Sequence, residues 1–139
     1  CGSLTVIDDA YNANPDSMKA AIDLLTSYPG PRLLVAGDMG ELGARSISYH
    51  EEIGEYAAKK HVDGFFAIGD NMRYAVKRFS AFAPKAHALW EPNREKFMDA
   101  VLKESQNYRV VSVKASNFMK LSEVVKALVE AQAPKQKKD

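Results

Sequence analysis

Asp8, Asp9, Tyr11, Asn12 and Asn14 stand in one short stretch, offering two carboxylates, a phenol and two amides. Such a set just before a helix start can hold a metal-bound water, a ribose or a base. The same residue types also favour turns and caps, where Asp and Asn bond to their own backbone. A second cluster, Gly37-Asp38-Met39-Gly40-Glu41-Leu42-Gly43, carries three glycines. Glycine reaches backbone conformations closed to other residues and lets a ligand approach the main chain. The cluster is neither the phosphate loop G-x-x-x-x-G-K-S/T nor G-x-G-x-x-G, and a flexible connection is its other reading. A third, Val113-Lys114-Ala115-Ser116-Asn117, sets an ammonium and a hydroxyl near a helix start. That pairing suits a carboxylate or phosphate; a solvated lysine and a capping serine explain it equally well.

Other reactive side chains form no constellation. His61 and His87 lack metal-ligand spacing, and His50 lies inside Ser48-x-x-Glu51, which reads as a capping box and gives it a structural role. The single cysteine, Cys1, excludes an internal disulfide and a cysteine-rich metal site. No serine or cysteine sits in a nucleophile elbow. Gly69-Asp70-Asn71 reads as a turn plus cap.

The elements that must position these clusters alternate. Strand-like runs are expected at residues 4–7, 32–36 (RLLVA), 64–68 (GFFAI), 86–89 and 109–113 (RVVSV). Most are continuously apolar, as strands covered on both faces should be. Between them run amphipathic helices. The first is opened by Asn14-Pro15, carries Met18, Ala21, Ile22 and Leu25 on one face, and is stopped by Pro29-Gly30-Pro31. The second starts at Ser48, the third covers residues 72–82, and the fourth follows Pro92 with Phe97, Met98, Val101 and Leu102 on one face. The last carries Leu121, Val124, Val125 and Leu128. The pattern predicts an α/β fold: a Rossmann-like, open, mostly parallel sheet of about five or six strands with helices on both faces. In such sheets ligands bind beyond the carboxyl ends of the strands. All three polar clusters fall there.

The chain has 139 residues, 46% hydrophobic and 27% charged, which suits one soluble domain. A net charge of +1 argues against a nucleic-acid footprint. No apolar run approaches the roughly 20 residues of a membrane span, and the N-terminus lacks a signal-peptide pattern, so a cytoplasmic location is expected. Cys1-Gly2-Ser3 reads as a linker or cloning remnant, residues 4–133 as the domain, and residues 134–139, with Lys135, Lys137 and Lys138, as a basic flexible tail.

Taken in order, the clusters resemble a known family. Asp8-Asp9-Ala10-Tyr11-Asn12-Ala13-Asn14-Pro15 with Ser17-Met18-Lys19-Ala20-Ala21 is similar to the opening of the C-terminal domain of Mur ligases. The nearest likeness is to members that add D-alanyl-D-alanine to UDP-N-acetylmuramoyl-tripeptide in peptidoglycan synthesis. Gly37 to Gly43, with His50 and Gly54 downstream, resembles the next block, and Lys114-Ala115-Ser116-Asn117 stands where Lys-Gly-Ser is usual. Ala115 departs from that pattern, and alanine does not readily take a left-handed conformation.

The resemblance implies a three-domain ligase using ATP and Mg²⁺, both held mainly by a central domain, which forms an acyl phosphate that the dipeptide amine attacks. It implies no catalytic or metal-ligating residue in this chain and no activity for it alone. It implies nucleotide-facing roles for Asp9, Tyr11, Asn12 and Asn14. For D-alanyl-D-alanine it implies Asp38, Met39, Glu41, Leu42, Lys114 and Ser116. Another Mur ligase or a folylpolyglutamate synthetase is the neighbouring alternative. From another class, a flavodoxin-like receiver would use Asp8, Asp9 and Asp70.

Overall fold

The computed structural model of the chain describes residues 4–9, 13–116 and 119–132. Five strands, β1 (Thr5–Asp9), β2 (Arg32–Gly37), β3 (Gly64–Ile68), β4 (His87–Trp90) and β5 (Val110–Lys114), form one sheet. Its order is β1-β5-β2-β3-β4, and every neighbouring pair is parallel. The connecting helices are α1 (Pro15–Thr26), α2 (Ser46–Lys59), α3 (Met72–Phe82) and α4 (Arg94–Glu104), with α5 (Ser122–Gln132) after β5.

Successive strand residues point to opposite faces, and here both faces are apolar. Leu34 and Ala36 join Met18, Ile22 and Leu25 of α1, Ile53 and Ala57 of α2, and Phe79 of α3 in one core. Leu33 and Val35 join Phe97 and Val101 of α4 and Val124 and Leu128 of α5 in the other. Phe65 and Phe79 meet edge to face at 5.3 Å, a favoured aromatic geometry. Three helices therefore cover one face while the chain runs from β1 to β4. The chain then returns through α4 across the other face and lays β5 between β1 and β2. The helix after β2 and the helix after β5 leave in opposite directions, which opens a crevice at the carboxyl ends of those strands.

Local signals explain two of the five helix starts. Asn14 Oδ1 accepts the Ser17 N–H at 2.8 Å while Ser17 Oγ accepts the Asn14 N–H at 2.9 Å, a reciprocal capping box ahead of Pro15. Asn93 caps α4 through the Lys96 N–H. The second helix differs from the expectation drawn from Ser48 and Glu51: α2 already begins at Ser46, continuing a short 3-10 turn at Gly43–Arg45, with no side-chain cap. A chain that enters a helix from a helical turn leaves Ser48 inside it, where a cap has no free N–H to serve.

Helices α2 and α3 touch backbone to backbone. A Cβ added to Gly54 would stand 2.0 Å from the Ala75 carbonyl oxygen, so only glycine permits this approach. The contact holds the start of α3 and the first turns of α2 beside the same loop.

Candidate ligand site at the carboxyl edge of the sheet

Asp9 ends β1 and is the register partner of Lys114 at the end of β5. Lys114 is 2% exposed, and its Nζ donates to Asp9 Oδ2 at 2.9 Å. The carboxylate is half open to solvent, so the pair is a buried cation facing an accessible anion. Two residues on, the Ser116 hydroxyl accepts the Gly40 N–H at 3.0 Å and donates to the Ala13 carbonyl at 3.3 Å. One hydroxyl thus ties together the loops leaving β1, β2 and β5. Ala115 is buried, and the described non-glycine residues with positive φ are Glu41, His61 and Lys120. The alanine therefore stands in this loop without the left-handed geometry its usual counterpart would permit.

The β2–α2 loop is held from outside itself. Asp38, 8% exposed, accepts the Met72 N–H through Oδ1 at 2.9 Å and the Asn71 N–H through Oδ2 at 3.2 Å. It caps α3 from a distant loop, and the Asn71 side chain makes no cap bond. Gly69, at φ +116°, lies against that carboxylate: a Cβ there would stand 2.3 Å from Asp38 Oδ1. Met39 is buried in the core between the sheet and α1–α3, and its N–H donates to His50 Nε2 at 3.0 Å. The other ring nitrogen lies 2.7 Å from the Ser46 carbonyl, an acceptor only, so Nδ1 carries the proton and the ring is neutral. Burial is the main influence keeping the His50 pKa below its ordinary value; the Ser46 carbonyl and Asp38 push the other way.

Beyond these fixed points the loop is strained. Glu41 sits in the left-handed region at φ 58°, and such non-glycine residues cluster at binding sites; Gly43, at φ 64°, takes the same conformation freely. Asp38, Met39, Gly40, Glu41, Leu42, Gly43, Ser46 and Asn71 line an open pocket of about 500 Å³.

The structure thus brings Asp9 and Lys114 together, though the sequence reading assigned them to different ligands. It gathers Asp38, Met39, Glu41 and Leu42 around one pocket, with Ser116 bonded to the neighbouring Gly40. Asn14 uses its side-chain oxygen to cap α1. Tyr11, Asn12 and Asn117 lie outside the described residues. His50, expected in a structural role near the helix start, has one there through the Ser46 carbonyl; its hold on the Met39 N–H was not foreseen, although it shares the buried i, i+3, i+4, i+7 stripe of Ile53, Gly54 and Ala57. Sequence reasoning missed one anchor altogether. Arg94 donates through Nη1 to the Met119 carbonyl at 2.8 Å and through Nη2 to the Lys120 carbonyl, steadying the chain between β5 and α5. No local pattern marks an arginine for that task.

The family model of the "Mur ligase, glutamate ligase domain" matches residues 1–117, a stretch that contains all three loops as far as Ser116. The chain belongs to the Mur ligase family. Among curated relatives, the UDP-N-acetylmuramoyl-tripeptide–D-alanyl-D-alanine ligase of Escherichia coli K12 is 37% identical over 129 residues, covering 90% of this chain and 27% of that protein. The Bacillus subtilis ligase of the same name is 35% identical over 130 residues, covering 92% of this chain and 28% of its own length. The chain therefore spans a little over a quarter of these relatives. Among solved structures, MurF from Acinetobacter baumannii superposes with a TM-score of 0.77 at 25% identity, over 94% of this chain and 29% of that one. MurF ligase from Thermotoga maritima, solved in complex with ADP, gives 0.67 at 26% identity, over 96% and 31%. The all-parallel α/β sheet of this Mur ligase domain is thus shared with MurF structures, and the flavodoxin-like receiver reading falls away.

Proposed function

We propose that this chain is the C-terminal, acceptor-positioning domain of an ATP-dependent ligase that joins D-alanyl-D-alanine to UDP-N-acetylmuramoyl-tripeptide in the bacterial cytoplasm. The observation that carries the reading is the junction made by Ser116, which locks the loops after β1, β2 and β5 around the mouth of the crevice. The names of the relatives supply the substrates, and the ADP complex of the Thermotoga relative supports a nucleotide.

Among the described residues no cluster of three His, Cys, Asp or Glu could hold a metal ion. The sequence also has no phosphate loop. These residues do not fit Mg²⁺ or the nucleotide phosphates, and those belong to the remainder of the ligase. What the domain contributes is orientation and the exclusion of water. Holding an amine against its electrophile is worth about 7–11 kcal/mol in favourable cases, and closing a domain over the site keeps water from competing.

Within that reading, Asp9, Tyr11, Asn12 and Asn14 face the nucleotide, while Glu41, Leu42 and Ser116 contact the dipeptide. Asp38 and Met39 form the floor that holds Glu41 and Leu42 in place. Lys114 serves the dipeptide carboxylate by exchanging it for Asp9. Among the described residues no helix is long and apolar enough to cross a membrane.

Amide NMR titration of the chain with D-alanyl-D-alanine, against L-alanyl-L-alanine as control, tests the assignment. Shifts confined to residues 38–42 and 114–116, and specific to the D-isomer, are expected. Equal shifts with both isomers would overturn it, as would D-isomer shifts elsewhere. In the intact ligase, Asn12→Ala should raise the KM for ATP and Lys114→Ala that for the dipeptide.

A further inference from the structure

The β2–α2 loop bears the pocket, yet its fold depends on one side chain that does not line it. His50 is fully buried, accepts the Met39 N–H on Nε2 and donates from Nδ1 to the Ser46 carbonyl. It therefore ties the first turn of α2 to the first residues of the loop. Asp38 stands on the other side of Met39, with Oδ1 at 3.9 Å from the same Nε2, and is bonded to the start of α3. We propose that His50 is a positioning residue: in its neutral tautomer it sets the conformation of residues 38–42 and so the shape of the pocket they offer the acceptor. The kinetic part of this inference rests on the reading of that pocket as the acceptor site.

The chemistry of the ring makes the device two-sided. A neutral Nε2 is an acceptor and can hold the Met39 N–H. A protonated Nε2 is a donor, and the nearby acceptor is Asp38 Oδ1. Protonation thus releases Met39 and draws Asp38 from the α3 start. The groups facing the ring are few. Asp38 is the charged one, from the β2–α2 loop; Ser46 offers its carbonyl and a hydroxyl 3.5 Å from Nδ1; α3 presents the Asn71 and Met72 N–H groups already bound to Asp38.

Two variants separate positioning from mere filling. Glutamine at 50 can place an amide oxygen near the site of Nε2 and still accept from Met39. Asparagine can replace only the Nδ1 bond to Ser46. The ¹⁵N spectrum of the His50 ring in this chain should show the Nδ1-protonated tautomer. The amides of residues 39–42 should move together as the ring titrates. His50→Gln should keep their shifts, and His50→Asn should displace them while amides of β3 and β5 stay in place. In the intact ligase, His50→Asn should raise the dipeptide KM about five- to tenfold, the effect of one lost buried hydrogen bond. The KM for ATP should not change, and His50→Gln should restore the dipeptide value. An Nε2-protonated ring, or loop amides indifferent to His50→Asn, would overturn the proposal. Displaced loop amides with an unchanged dipeptide KM would instead overturn the acceptor reading of the pocket, leaving His50 as the residue that shapes it.

Discussion

On the outer face of α1, α2 and α3, charged side chains pair in the open. Lys19 meets Glu52, Lys60 meets Asp23 at 3.2 Å, and Arg78 reaches Glu51 at 3.4 Å and Glu55 at 2.8 Å. At the carboxyl edge of the sheet, Lys114, Asp38 and His50 are nearly or wholly buried, and each has a defined partner on another segment. The residue types are much the same; the surroundings differ. In water an ion pair gains little, because solvent screens it and two long side chains must be ordered. Out of water, each group depends on its partner, because an unpaired buried polar group carries the whole desolvation penalty. The pairs that look most numerous are therefore the ones that decide least.

Four changes sharpen that contrast. Gly54→Ala should be the most damaging, at about 3 kcal/mol of stability, because the added methyl meets backbone that cannot yield. Chemical denaturation measures it, and a loss below 1 kcal/mol would mean that α2 and α3 part easily. Asp9→Ala should follow at about 2 kcal/mol, since it leaves the Lys114 ammonium without its carboxylate. A neutral result would place that cation outside the buried class.

The third change is in pH. Folding holds the His50 pKa below its ordinary value near 6.5, so the unfolded chain binds more protons as the pH falls from there. The His50 contribution is complete above about 6.5. It is lost as the pH drops toward the lower folded value. The unfolding midpoint measured at successive pH values should show this slope in the wild type and lose it in His50→Gln. Arg78→Ala should do least, within about 0.5 kcal/mol, although it removes two bridges between α2 and α3. A large effect there would overturn the distinction between the two surfaces.

Much of the fold was legible along the chain. Apolar runs such as GFFAI marked strands buried on both faces, and Asn14-Pro15 marked a helix start, because both signals act within a few residues. The expected strands near residues 86–89 and 109–113 lie one residue further on, at His87–Trp90 and Val110–Lys114. The error at Ser48 has the same local origin: a capping motif can be read, but the 3-10 turn that makes it unnecessary cannot.

The site was legible as composition only. Its three loops stood out by their polar residues and glycines, and the resemblance to Mur ligases gave them an order. Their pairing did not follow. Asp38 read as a ligand contact and caps α3; Lys114 and Asp9 read as serving different molecules and bond to each other. Sequence alone determined which segments are strands, which are helices and which loops carry polar chemistry, since periodicity and caps are short-range. Tertiary structure alone decided that β5 lies between β1 and β2. That insertion sets Lys114 beside Asp9 and Ser116 beside Gly40, groups separated by 105 and 76 positions along the chain. No local rule can encode such a contact, because it forms only when two distant strands share one sheet and bury their faces together.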